Sequence, residues 1–507
     1  MLPRENTSWP PSPWDHAYAT YAENEAWYLG DTKRLQAIYR RQGQATHTHR
    51  GELHTGGVVG AVSRMFWGRP VPPGEHRTRV HIPAPSDLAT LSSDLIFSEP
   101  PEVTLSVEDK KAQARLDVIG NSDDAHAMFN TMGELKSVFG ATALVTRWDT
   151  DIADHAWLEC AAADVVIPTF RSGKLASLAL WTEHRDGQRV YRHVEDHQPG
   201  FIEHALYLGT ADNLGRRVPL QERPETEHLA LLVDGDSRML TGIDRLTASY
   251  NINMPSRAWR KRGQLAHAGR SDFAGALQLF DAIDETWSSW MRDLKLAGGK
   301  VIVPDAYLQS NGRGKGAFFD ESREFMVGIN SPGDPNGAGK LDVVQFKIRV
   351  EEHERTLYGL YKELLRHAGY SHSVWGEYNS SSQATATEVE DRNKASERTR
   401  DKKALFDRAA IAEQSATALE VDGLLFPGKG GGRFDLPQVV FPEVSQIDPE
   451  KGARVVQLLS AAGAASTQTL VARANPDWDE ARVTQEVEAI EAVKQSSRMV
   501  DPAGVTF

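Results

Sequence analysis

The chain has 507 residues, 40% hydrophobic and 25% charged, which suggests on the order of three or four structural units with real cores. Wholesale disorder, a collagen-like fibre and a multi-pass membrane protein are excluded, and the single cysteine, Cys160, excludes an internal disulfide or a cysteine-based zinc site. A net charge of −13 argues against a wholly basic DNA-coating protein while leaving room for a local basic stripe.

The first 30 residues read as a polar, proline-broken arm carrying Trp9, Trp14 and Trp27, without the apolar stretch of a signal peptide. Ser86 is expected to cap a short helix with Leu88, Leu91, Leu95 and Ile96 on one face, stopped by Glu99-Pro-Pro. A second helix is expected over 123–139, with Ala127, Met128, Met132, Leu135 and Val138 inward. From 141 to 250, short apolar runs separated by Asp-Gly or Gly-rich turns predict an antiparallel meander.

Longer helices follow. Ser271 is a good N-cap, and Phe273, Leu277, Phe280, Ile283, Trp287, Trp290, Met291 and Leu294 follow at helical spacing up to Gly298-Gly299. A compact insert then opens with Lys300-Val-Ile-Val-Pro and carries a short strand at Phe325-Met-Val-Gly-Ile, with glycine-rich loops at 310–316 and 333–339. A second long helix is expected from about Leu341 to His367, and then a polar loop over 370–386 whose one formal charge is Glu377. Thr385 and Glu388 form a capping-box pair opening a third long helix to about Val421. A glycine run at 428–432, a strand at Gln438-Val-Val-Phe and two or three final helices end the chain. The longest uncharged stretch, 455–472, is too polar to span a bilayer, so action in the cytoplasm, or in something assembled there, is expected.

The third helix is unusual. From Glu388 to Arg408 it holds seven basic and six acidic residues and almost no large apolar ones. Such a segment is expected to be an exposed arm or to be held by ion pairs against other subunits, not by a core of its own chain.

Motifs for catalysis are missing. Gly333-Asp-Pro-Asn-Gly-Ala-Gly-Lys-Leu resembles a phosphate-binding loop, but Asp334 stands where glycine is needed and Leu341 where Ser or Thr must hold magnesium. His193 and His197 lie four apart without the adjacent glutamate of a zinc protease, and read as surface residues at a strand edge and turn. His47, His49 and His54 read as loop or strand residues, and Cys160 as a buried small hydrophobe. No catalytic, cofactor-binding or metal residues are assigned, no cofactor is expected, and the chain does not read as an enzyme.

Four segments resemble the SPP1-type portal proteins of tailed siphophages, in the same order. They are His81-Ile-Pro through Asp87-Leu-Ala-Thr-Leu-Ser-Ser-Asp-Leu-Ile-Phe-Ser-Glu-Pro-Pro, Pro199-Gly-Phe-Ile-Glu-His-Ala-Leu-Tyr-Leu-Gly-Thr, Gly269-Arg-Ser-Asp-Phe through Trp287-Ser-Ser-Trp-Met-Arg-Asp, and Thr385-Ala-Thr-Glu-Val through Ser396-Glu-Arg-Thr-Arg-Asp-Lys-Lys. The resemblance runs from about residue 30 to 490. It implies an α+β portal fold of wing, stem, clip and crown, closed into a cyclic ring, usually of about twelve copies. Mapped on this sequence, 1–30 is the N-terminal arm, 31–270 and 387–445 the wing, 271–297 and 341–368 the stem helices, 298–340 the clip, 369–386 the tunnel loop, and 446–507 the crown and tail.

The implied function is the DNA channel at the unique capsid vertex, for packaging, retention and ejection of double-stranded DNA. The implied partners are copies of itself, that DNA, the large terminase, a head-completion adaptor, and the major capsid and scaffolding proteins, with no membrane and a final place in the virion. A channel must not hold DNA tightly, and a loop of hydroxyl and amide side chains suits that need. Channel candidates are therefore Trp375, Glu377, Tyr378, Asn379, Ser380 and Ser381 in the loop. Arg292, Lys295, Lys347 and Arg349 on the stem either face the channel or pair with acidic neighbours. Inter-subunit candidates are Arg392, Glu397, Arg398, Arg400 and Asp401. The rival readings are a packaging-motor ATPase or nuclease subunit, and another head structural protein such as an adaptor.

Overall fold

The computed structural model describes residues 2–38, 80–296, 300–302, 309–310, 317–318, 342–344, 348–371, 386–442, 449–475, 478 and 480–499. It is a mixed α+β chain in two units, Met1–Phe441 and Pro442–Phe507. Expectations for His47, His49, His54, the glycine-rich loops at 311–316 and 333–339, the strand at Phe325 and the capping residue Thr385 lie outside the described residues.

Strand β1 (Glu102–Thr104) finds its partner far along the chain. The meander expected after residue 141 forms, but in two sheets. β2 (Ala141–Arg147) pairs with β3 (Trp157–Ala162); a single turn of 3-10 helix at Ala163–Val165 then redirects the chain. β4 (Val166–Arg171), β5 (Lys174–Asp186), β6 (Arg189–Gln198), β7 (Phe201–Thr210) and β8 (Asn213–Val218) follow as antiparallel neighbours, with β9 (Arg238–Leu240) beside the start of β7. β10 (Ala248–Ile252) returns to the other edge of β2, giving the order β10-β2-β3. β2 is buried on both faces: Leu144 joins the helical core, while Ala143 and Val145 pack with Leu178 and Leu180 of β5.

The two histidines read as surface residues belong to a central strand, because β6 lies between β5 and β7. His197 is fully buried and bonds Thr247 Oγ1 at 2.6 Å, and His193 stacks on the buried His204 with 3.1 Å between ring nitrogens. Between them Glu195 takes the Arg147 guanidinium of β2; burial raises the carboxyl pKa, yet Arg147 holds it well below the ordinary range. Polar residues fill this face because their partners come from β2, from β7 and from the residue before β10, which the strand's own sequence does not show.

The N-terminal tryptophans are likewise not on a free arm. The opposite face of the large sheet needs covering, and the helix Asp15–Tyr28 with the residues before it supplies the cover. Trp9 meets Trp181 edge-on at 5.1 Å, and the buried Arg192 lies over Trp9 at 5.1 Å. The Trp181 indole donates to Tyr18 Oη at 2.9 Å, and Trp27 is fully buried against Phe280.

Three helices, Ala84–Phe97, Lys110–Gly120 and Asp123–Phe139, pack with the 40-residue helix Ala386–Leu425. Ser86 does not cap the first of these. The helix starts after Pro83, and Ser86 Oγ bonds back to the Pro83 carbonyl at 2.9 Å. In the third, Ala127 faces solvent and the buried stripe runs Ala125, Phe129, Met132 and Lys136. A buried lysine on that stripe shifts the apparent apolar face.

The long helix overturns the expectation that it has no core in its own chain. Ser396, Arg400, Lys403, Asp407, Gln414 and Asp422, at helical spacing, are all buried within the first unit. Their charges meet opposite charges from elsewhere in the sequence. Lys136 pairs with Asp407, which also accepts from Asn251 at 2.7 Å, and Arg115 forks onto Asp422 at 2.7 and 2.8 Å. Near its end Gly423 lies against the glycine run; a Cβ there would sit 2.5 Å from Gly431 backbone. The chain then returns as β15 (Gln438–Val440), which pairs with β1.

The second unit contains the helices Pro449–Ala461, Thr467–Ala474 and Glu480–Met499. Ser466 caps the middle one, accepting from Thr469 N at 3.2 Å, and Arg482 lies over Trp478 at 4.6 Å.

Removing one partner of a desolvated ion pair strands the other. Lys136→Ala should lower unfolding free energy by about 3–5 kcal/mol, while Lys136→Met with Asp407→Leu should recover most of it; urea denaturation measures both. Burial, then repulsion from His193, pushes His204 down to about 3. The unfolded chain takes up that proton first, near pH 6.5, so stability is whole above about 6.5 and falls as pH drops towards 3. His204→Asn should flatten that decline, read from urea midpoints between about pH 7 and pH 5.

Candidate functional site

Helices Leu277–Leu296 and Val350–Ala368 form an antiparallel hairpin, each about 30 Å long. At one end Asp293 accepts from Arg349 at 2.9 Å and lies 3.0 Å from His353 Nε2. The His353 bond, followed by Arg349, holds the Asp293 carboxyl below its usual range. At the other end His367 Nε2 bonds the Ala274 carbonyl at 2.8 Å. Trp287 stacks on Trp290 at 5.1 Å, and Trp290 on His353 at 5.8 Å. Phe280, Ile283, Leu357, Leu364 and Leu365 fill the space towards the core.

Both helices start later than the sequence suggests. Ser271 accepts from Phe273 N at 2.9 Å, but caps a turn: Gly275, at φ +87°, separates it from the helix beginning at Leu277. Ahead of the second helix, β14 (Asp342–Val344) pairs with β11 (Lys300–Ile302), so residues 342–344 are strand and the helix begins at Val350. A second small ladder joins β12 (Gln309–Ser310) to β13 (Ala317–Phe318). The insert is thus entered and left through one antiparallel pair at the end of the hairpin.

The sites read from sequence fare unequally. Arg292 is half-buried, and Arg349 is exposed and paired with Asp293, within its own chain. Lys295 and Arg392 lie in helices, but their side chains are outside the described residues, as are Lys347, Trp375, Glu377, Tyr378, Asn379, Ser380 and Ser381. Arg398 and Asp401 are exposed on the long helix and Glu397 is half-buried. Arg400 differs from its neighbours: it is 7% exposed and donates to the Leu95 carbonyl at 3.0 Å, a contact inside the first unit.

Sequence reading missed the group that joins these parts. Lys403 Nζ contacts Asp272 at 2.5 Å, Ser92 Oγ at 2.7 Å and Tyr370 Oη at 2.8 Å. Asp272 also accepts from Ser137 at 2.7 Å and Asn253 at 2.9 Å. Burial lowers the Lys403 pKa; burial opposes, but Lys403 and these hydrogen bonds depress, that of Asp272. The long helix, the turn before the first hairpin helix and the end of the second therefore share one ammonium. Thr399 Oγ1 bonds the Gly369 carbonyl at 2.7 Å, and Ser396 Oγ accepts from Ser371 N at 2.8 Å. Tyr370 and Ser371, expected at the start of the polar loop, are clamped inside the core. The available signal was charged residues recurring at helical spacing over 396–422, which an apolar-period search passes over.

Among the described residues no group of three or more His, Cys, Asp or Glu is placed to hold a metal ion, and no helix is long and apolar enough to cross a membrane. Cys160 is partly exposed as a residue, but burial of its thiol pushes the pKa up to about 12, far from a reactive thiolate.

No family model matches the chain, and no curated protein matches it. Solved structures do. One is the virion of the native gene transfer agent particle, with a TM-score of 0.41 and 13% identity over 85% of this chain and 97% of that chain. Another is the neck of the empty particle computed with C6 symmetry, at 0.39 and 12% over 85% and 97%. A third is the neck of the native particle computed with C12 symmetry, at 0.38 and 14% over 84% and 96%. Likeness at this level carries no residue-by-residue correspondence.

Arg400→Ala should cost about 1–3 kcal/mol by leaving the Leu95 carbonyl without its donor, seen in chemical denaturation. Arg398→Glu should leave folding within about 0.5 kcal/mol. If Arg398 lies in a contact between copies, as expected from the sequence, the variant should also weaken self-association more at low than at high salt in sedimentation velocity; no salt dependence removes Arg398 from such a contact.

Proposed function

We propose that this chain is the portal subunit of a tailed phage, closing with copies of itself into a ring through which double-stranded DNA is packaged, retained and released. The observation that carries the reading is the helical hairpin. Two antiparallel helices bracket an insert entered and left through a two-stranded ladder, and a 40-residue helix follows a short connection. The residue-level resemblance of four ordered segments to portal proteins supports the same assignment. On this reading the hairpin is the stem, the insert the clip, residues 369–386 the segment of the tunnel loop, and the sheets with the long helix the wing. Terminase, adaptor, capsid and scaffolding proteins are the expected partners, and no catalysis is assigned.

A ring built by one repeated rotation uses a heterologous contact, in which two different surfaces of each copy meet. The exposed charges of the long helix, Arg398 and Asp401, are available for such a contact because its other face is already satisfied. Negative-stain images of the purified protein should show large rings with an open centre and about twelve-fold top views. Monomers at every concentration and ionic strength would overturn the assignment. A small collar would favour an adaptor, and ATP turnover that depends on Lys340 would favour a motor subunit.

A further inference from the structure

The described surface carries a concentration of unpaired positive charge just before the hairpin. Arg257, Arg260, Lys261 and Arg262 are all exposed, and no described carboxylate pairs with any of them. In a chain of net charge −13, four cations within six residues make a local field opposite to that of the whole molecule.

This segment is a built loop. Its neck is closed by an antiparallel bridge between Pro255 and Gly269 and by Arg270 N donating to the Met254 carbonyl at 2.7 Å. Gln264 binds both backbone groups of Phe170, accepting from its N–H at 2.6 Å and donating to its carbonyl at 3.0 Å. The His267 ring stacks on Phe170 at 4.4 Å, and Leu265 and Ala268 are buried. Trp259 packs against the main core and accepts Arg262 N at 2.8 Å. The loop's apolar residues are thus turned inward, and its cationic heads outward. The anchoring at Phe170 also brings in the β4–β5 turn, where Arg171 and Lys174 are exposed, and Arg270 is exposed at the neck.

A folded protein partner wants an apolar centre within its contact area, and the outward face of this loop offers none. Closely spaced guanidinium and ammonium groups on a held backbone suit a regular line of phosphates, bound for charge and not for sequence. We propose that the loop 256–268, with the adjoining β4–β5 turn, is a sequence-independent binding surface for the phosphate backbone of double-stranded DNA, distinct from the hairpin. The choice of duplex DNA as the polyanion rests on the portal reading; the cationic surface does not.

The test titrates a fluorescently labelled duplex of arbitrary sequence with the full-length protein, reading anisotropy between about 50 and about 200 mM salt. The variant R257Q/R260Q/K261Q/R262Q should bind at least about tenfold more weakly at low salt, and the slope of log affinity against log salt should become shallower by about 3–4. A control with Lys110, Lys111, Lys402 and Arg408 changed to Gln, all exposed elsewhere, should stay within about twofold of the parent. Equal binding by the loop variant, or equal loss in the control, overturns the proposal. Displacement of the duplex by poly-glutamate at the same charge concentration overturns the assignment to DNA. If the fourfold variant loses its thermal transition, the four single variants carry the test, each shallowing the slope by about 0.9. Imaging the same preparations separates the two readings: rings without loop-dependent binding sink this proposal alone, and loop-dependent binding without rings sinks the portal assignment alone.

Discussion

A charge removed from water must meet an opposite charge or enough hydrogen bonds, and that requirement fixes where the long helix lies. Lys403, Asp407 and Asp422 are buried, and their partners Asp272, Lys136 and Arg115 come from three separate parts of the chain. An apolar stripe tolerates a shifted neighbour of similar volume. A buried ammonium with one carboxylate, one hydroxyl and one phenol around it does not. The helix is therefore held in one register against the sheets, the turn before the hairpin and the residue that follows the hairpin's second helix.

That arrangement ties the hairpin to the rest of the first unit. Both hairpin helices connect to the rest of the first unit through residues bound to the long helix: Asp272 on the entering side, Gly369, Tyr370 and Ser371 on the leaving side. Any force on the hairpin would be taken up by a desolvated ionic network. With its inner face satisfied within the chain, the same helix leaves Arg398 and Asp401 exposed.

The charge distribution of the chain is uneven. The chain is acidic overall, and Arg349 of the hairpin is paired with Asp293. The concentrated positive charge lies instead in the loop at 256–268, where the backbone is anchored and the cations lack carboxylates among the described residues. Phosphate attraction confined to one surface guides a polyanion, whereas the same charge spread along a channel would retain it.

Sequence alone determined the kinds and order of elements: the meander after residue 141, the paired helices around an insert, the charged third helix and the small helical end. Those follow from local period, capping residues and glycine punctuation, which neighbouring residues set among themselves. What the strands and helices bury was decided by tertiary structure. His193 and His197 looked peripheral because their partners, His204 in β7 and Thr247 just before β10, lie elsewhere in the chain. The tryptophan segment looked like an arm because the sheet face it covers is about 170 residues away, at Trp181. The third helix looked coreless because a search for apolar period cannot register a stripe whose inward groups are lysine and aspartate. Complementarity of buried charge is a property of pairs distant in sequence, so it becomes visible only once the chain has brought them together.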